Sequence, residues 1–116
     1  MKRVRVVAED GTVLCAHCVV ADSFWLRFRG LMLRRSLADD EGMVFHGAGS
    51  IHMFFMRFAI DAVFCDAELR VVRVARGLRP WRLAAARRAK VVIELADGVA
   101  AGVEAGDRLV LREADP

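Results

Sequence analysis

Ser50-Ile51-His52-Met53-Phe54-Phe55-Met56-Arg57-Phe58-Ala59-Ile60-Asp61-Ala62-Val63-Phe64-Cys65-Asp66 is the longest apolar run in a chain of 116 residues, and its folding decides the architecture. Read as extended backbone, it places His52, Phe54, Met56, Phe58 and Ile60 on one side. Met53, Phe55, Arg57, Ala59 and Asp61 fall on the other. Three of its side chains, His52, Arg57 and Asp61, are hard to hide. Gly47-Ala48-Gly49 is a flexible break before the run. After it, Asp66-Ala67-Glu68 separates residues 63–65 from 69–75, which reads as a hairpin.

The flanks point the same way. Residues 2–7 alternate charged and apolar side chains, the period of a half-buried strand. Asp10-Gly11 tolerates positive φ and turns the chain into a partner strand over residues 13–20. Asp22 and Ser23 offer helix-capping side chains, Phe24 and Phe28 share one helical face, and Gly30 suits a helix end. A short helix over residues 23–29 is therefore expected. An acidic turn over 38–42 leads into a short strand at 43–45. Pro80 makes residues 79–82 a loop. Residues 84–89 suit a helix by propensity and equally suit two short strands with a basic loop. Residues 90–95 are a β-branched strand, Asp97 can cap a short helix over 98–102, and Gly106-Asp107 turns into a last strand at 108–111. The expected fold is mainly β: a compact β-sandwich or barrel-like domain with one to three short helices, spanning residues 1–116 as a single domain.

Composition bounds the function. The chain is 56% apolar, yet no run approaches the ~18 residues of a membrane span. Its first ten residues carry charges and no apolar signal core, so a cytoplasmic location without membrane contact is expected. A net charge of +3 does not demand a nucleic-acid partner. Three cysteines give no disulfide framework and fit reduced thiols.

Four constellations carry possible chemistry. Cys15-Ala16-His17-Cys18 is half a zinc or redox motif, with only Cys65, His46 and His52 available to complete it. In a regular strand its two thiols point to opposite faces, so neither metal nor an internal disulfide is expected, and no cofactor is. Asp39-Asp40-Glu41 lacks the ligand spacing of a calcium loop and reads as a solvated turn. Arg79, Arg82, Arg87, Arg88 and Lys90 form a basic loop around Trp81. That combination can hold single-stranded nucleic acid, but one tryptophan is a poor stacking platform, and the plainer reading has Trp81 closing the core. His52, Arg57 and Asp61 are either a core histidine with a structural ion pair or convergent groups of a ligand pocket. Along a straight strand Arg57 and Asp61 lie about 13 Å apart, so each needs its own partner or the strand bends near Ala59. The plain partner for Arg57 is a structural carboxylate such as Glu94.

Arg29-Gly30-Leu31-Met32, the pattern Ile51-His52-x-x-x-Met56-Arg57-Phe58-x-Ile60-Asp61, the loop Gly77-Leu78-Arg79-Pro80-Trp81, and Val92-Ile93-Glu94-Leu95 followed by Gly106-Asp107 occur in this order. Together they resemble domain-of-unknown-function family 192, over about residues 19 to 110. The resemblance implies a compact β-sandwich with one or two short helices and no assigned activity. Ala59 stands where that family usually has proline, and Phe55 where glycine or tryptophan is common. The resulting expectation is a small non-enzymatic β-domain that binds a small polar or anionic ligand, or a protein partner. His52, Arg57, Asp61 and Arg29 are its candidate binding residues. The alternatives are a hydrolase-type enzyme using His52 and Asp61, for which no serine stands in a recognisable nucleophile motif, and a single-stranded nucleic-acid binder using the basic loop.

Overall fold

The structure, a computed structural model, describes residues 2–23, 27, 29–32 and 34–113. Nine strands form: β1 (Arg3–Ala8), β2 (Val13–Val20), β3 (Glu41–His46), β4 (Ser50–His52), β5 (Ile60–Cys65), β6 (Val71–Leu78), β7 (Leu83–Ala85), β8 (Val91–Ala96) and β9 (Leu109–Glu113). Seven of them make one sheet in the order β6-β5-β8-β3-β2-β1-β9, and β4 pairs with β7 in a small second sheet. The β2–β3 pairing is parallel and the others are antiparallel. The outer strands approach each other at one end. Val71 N–H donates to the Asp107 carbonyl at 2.7 Å and Leu109 N–H to the Leu69 carbonyl at 2.9 Å. The sheet is thus curled into a half-barrel, and the mainly β fold expected from the turn spacing is what the chain adopts. Among the described residues no helix is long and apolar enough to cross a membrane.

Every residue of β5 and β8 is buried, because both faces of the central sheet are covered. One face packs Val63, Cys65, Ile93, Leu95, Val44, Val6 and Leu109 into a core inside the curl. The other packs Ile60, Ala62, Phe64, Val92, Met43 and Phe45 against Ala84 of β7 and against Leu31, Met53 and Met56, which come from the excursions between strands. Full burial of such side chains contributes about 1.5–3 kcal/mol each, which fixes the register that decides which side chain faces which core.

Several expectations are corrected in detail. The central run is not one strand: it is paired only at Ser50–His52 and from Ile60 onward, and residues 53–59 loop between. Phe55 adopts φ 62°, a left-handed conformation that ends extended pairing there. The chain turns at residues 54–55, where the resembling family commonly has glycine or tryptophan, and bends again at 57–58, beside Ala59. Residues 98–102 form successive turns rather than a helix, and their amides point at Asp61 instead of being capped by Asp97. Of residues 84–89, Ala84 and Ala85 belong to β7, the strand alternative. The helix expected over 23–29 falls largely outside the described residues. Arg27 and Arg29 are helical, and Arg27 N–H donates to the Ser23 carbonyl at 2.9 Å.

Cys15 and Cys18 do not point to opposite faces. A bulge in the β1–β2 pairing, between the Val4↔Cys18 and Val6↔Cys15 partners, adds a residue and reverses the alternation. Both side chains enter the same core. A Cβ at Gly42 would stand 3.2 Å from each Sγ, so the absence of a side chain there is what admits the pair.

Candidate functional site

Glu94 is the one ionisable side chain in the sequence Val91-Val92-Ile93-Glu94-Leu95-Ala96 of β8. Strand alternation sends it the same way as Val92, into the second core, beside its register partners Met43 on β3 and Ala62 on β5. It is only 6% exposed. Among the described residues no hydrogen bond or ion pair to its carboxyl group forms, and its oxygens are not sealed off, since no described side-chain oxygen is both fully buried and without a partner. Burial disfavours the charged form and pushes the Glu94 acid up to about 8, so it is largely protonated at neutral pH.

The carboxyl group lines a cavity of about 150 Å³. Its walls come from two excursions that cover this face of the sheet. Arg27, Arg29, Gly30, Leu31 and Met32 stand on one side; Ala48, Ser50, Ile51, His52 and Met56 stand on the other. Gly30, at φ 51°, has Phe45 of the cavity wall 3.3 Å from where its Cβ would be, so a side chain there would press on the ring. Met56 and Phe45 give the cavity an apolar inner wall. Its polar groups are mostly donors. Arg27 spends one N–H on the His46 carbonyl at 2.6 Å, and Arg29 is exposed at the mouth. His52 Nδ1 accepts the Phe54 N–H at 3.3 Å, which places the neutral ring's proton on Nε2 and leaves that nitrogen a donor. Ser50 adds a hydroxyl. Among the described residues, Glu94 is the only acid that lines the cavity.

The candidate residues named from sequence divide accordingly. His52 and Arg29 line this cavity. Arg57 is exposed on the loop between β4 and β5 and does not line it. The structural pair suggested for it does not form: among the described residues the ion pairs are His17–Asp40 and Arg34–Glu41, and neither involves Arg57 or Glu94. Asp61 is 1% exposed and points with Val63 and Leu95 into the other core. Its Oδ1 accepts the Gly77 N–H at 2.9 Å, and its Oδ2 accepts those of Gly98 at 3.1 Å and Ala100 at 2.9 Å. His52 and Asp61 are therefore not brought to one site, because alternation along β5 turns Asp61 toward the end of β6 and the turns after β8. Glu94 is the residue that sequence reasoning set aside as a pairing partner. Its signal was available: a lone carboxylate among five apolar neighbours in a strand with no face left for water.

The DUF192 family profile, described as Uncharacterized ACR, matches residues 5–111. A UPF0127 protein of Thermococcus sibiricus is 40% identical over 96 residues, 77% of this chain and 60% of that relative, so the chain spans little more than half the relative's length. A UPF0127 protein of Pyrococcus furiosus is 39% identical over 95 residues, 77% of this chain and 81% of that protein. Two crystal structures share the fold at 27% identity. A putative transcription regulator from Sinorhizobium meliloti gives a TM-score of 0.80 over 95% of this chain and 92% of its own. A protein of unknown function from Novosphingobium aromaticivorans gives 0.78 over 93% and 83%. With a profile match over nearly its whole length and these relatives, the chain belongs to the uncharacterised DUF192 family.

Proposed function

We propose that the cavity beside Glu94 binds a small anionic molecule and that the chain acts through this binding rather than through catalysis. The observation that carries the reading is the Glu94 carboxyl group, buried at the cavity wall with no partner from the described residues. Its oxygens open onto the cavity, so a ligand there can take up hydrogen bonds that the fold itself leaves unused. The ligand is small, because about 150 Å³ admits something near the size of benzene. It is an acceptor, because protonated Glu94, Arg29, His52 Nε2 and the Ser50 hydroxyl all donate. A short carboxylate with an apolar tail fits both the donors and the Met56–Phe45 wall.

The test is titration of the full chain with formate, acetate, butyrate and phosphate, and with ammonium and guanidinium as opposite-charge controls, followed by the methyl resonance of Met56. The expected result is saturable shifts with a short carboxylate, weakened about tenfold by Arg29→Ala, as suits loss of a charge-assisted contact. Glu94→Leu, which fills the space with an apolar side chain, should abolish them. Shifts with the cations alone, or anion affinity untouched by both variants, would overturn the reading.

A further inference from the structure

Six large apolar side chains are prominently exposed among the described residues, and four of them stand together: Phe54 at 38%, Phe55 at 56%, Trp81 at 59% and Leu83 at 69%. They occupy two loops that are tied to each other. Met53 N–H donates to the Arg82 carbonyl at 2.8 Å, and Trp81 N–H donates to the Met53 carbonyl at 2.7 Å. The rings pack in a chain. His52 lies 4.9 Å from Phe54, Phe54 lies 5.8 Å from Trp81, and Trp81 lies 5.0 Å from Phe55. Trp81 is thus turned outward rather than closing the core.

The backbone holds this knob in place. Phe55 at φ 62° and Trp81 at φ 69° are two of the three non-glycine residues with positive φ among the described residues. Bulky side chains rarely adopt that conformation, and such strain clusters at functional surfaces. Here both strained residues carry the most exposed rings. The composition is equally one-sided. Residues 53–59 and 79–83 contain apolar and aromatic residues, one proline and the arginines Arg57, Arg79 and Arg82, with no acid and no Ser, Thr, Asn, Gln or Tyr. No acidic residue occurs from 69 to 93. All three arginines are exposed, and no described ion pair engages them.

We propose that this knob is a docking surface for an anionic lipid bilayer, with Phe54, Phe55, Trp81 and Leu83 entering the interfacial region and Arg57, Arg79 and Arg82 on the headgroups. Aromatic and leucine side chains ringed by arginine match the chemistry of interfacial anchoring. A protein interface needs about one hydrogen bond per 100–200 Å², which the apolar centre of this patch does not offer and lipid does not require. Stacked nucleic-acid bases need open ring faces, whereas these rings tilt 32° and 60° into one another and the most exposed member, Leu83, has no ring. A second copy packed by two-fold symmetry would set the arginines against each other. The contact is peripheral and needs no spanning segment.

The test is co-sedimentation of the full chain with vesicles of phosphatidylcholine, with and without phosphatidylglycerol, alongside emission of Trp81 in a Trp25→Phe background. Binding and a blue shift are expected with phosphatidylglycerol at low salt, with much less on neutral vesicles. Phe55→Gly/Trp81→Gly removes the knob while placing glycine where positive φ favours it, so the variant should fold and lose binding about tenfold or more. Arg79→Glu/Arg82→Glu should do the same. Absence of binding, equal binding to neutral vesicles, binding untouched by the glycine variant, or tighter binding of a single-stranded oligonucleotide would overturn the assignment. So would concentration-dependent dimers that the glycine variant abolishes.

Discussion

Asp61 and Glu94 are buried acids on adjacent, paired strands, at 1% and 6% exposure, and their surroundings could hardly differ more. Asp61 faces the inside of the curl, where the amide of Gly77 near the end of β6 and those of Gly98 and Ala100 in the turns after β8 converge on its oxygens. Glu94 faces the opposite side, where no amide arrives and burial alone raises its proton affinity. Burial by itself therefore does not mark a functional carboxylate. Asp61 is a brace that ties the end of β6 and the turns after β8 to β5, and its hydrogen-bonding capacity is used within the fold. The Glu94 carboxyl group makes no such bond with the described residues and lines the cavity instead.

The contrast can be broken first at Asp61. Asp61→Ala strands the amides of Gly77, Gly98 and Ala100, and unfolding in urea should show a loss of about 3–5 kcal/mol. A loss under about 1 kcal/mol would mean that water satisfies those amides and that the brace is dispensable.

At Glu94 the difference should appear as pH dependence. The folded acid sits at about 8 against an ordinary 4.5. Below about 4.5 both folded and unfolded chains hold the proton. As pH rises toward about 8 the unfolded chain releases it first, so stability falls across that window and levels off above it. Glu94→Gln removes the titration. Its denaturation midpoint should vary less between pH 5 and pH 9, the range being about that of the linkage, and at the alkaline end it should exceed wild type by on the order of 3–5 kcal/mol. Parallel curves for the two proteins would show that Glu94 is ionised at neutral pH and paired.

The smallest effect sharpens the comparison. Arg57 is the cation that sequence would have set against Glu94, yet it is exposed and outside the cavity. Arg57→Ala should change stability by less than about 0.5 kcal/mol in the same urea assay. A drop of about 3 kcal/mol or more would reinstate a buried ion pair.

Much of this architecture could be read from local pattern. Alternation and the Asp10-Gly11 turn gave the first hairpin, with Val13–Val20 as its second strand, and β-branched density gave β8. What escaped depends on geometry that no short window contains. The bulge that gathers Cys15 and Cys18 is a property of two strands. The capping of residues 98–102 comes from Asp61, some 37 positions earlier in the chain at Gly98. The cavity joins residues near 30 and 50 over position 94, so its members carry no common spacing. His52 and Arg29, two of the candidates, line that space. Sequence alone groups Asp61 with Arg57 at a pocket mouth, whereas alternation along β5 turns it into the interior opposite Ile60, where backbone amides take up its oxygens.

The order of strands in the sheet also bears on synthesis. β1 lies between β2 and β9, and the register Val4↔Glu113 through Ala8↔Leu109 fills its second edge with residues made more than a hundred positions later. While the ribosome works, the β1–β2 hairpin can pair, but one row of β1 amides and carbonyls stays open, along with the core position that Leu109 will occupy. An unfinished edge of this kind is a template for pairing with other nascent chains. The charged flank of β1, with Arg3 exposed and Arg5 half-buried, guards that edge during the interval. The interval between synthesis of β1 and of β9 is thus the time during which this edge of the half-barrel stands unpaired.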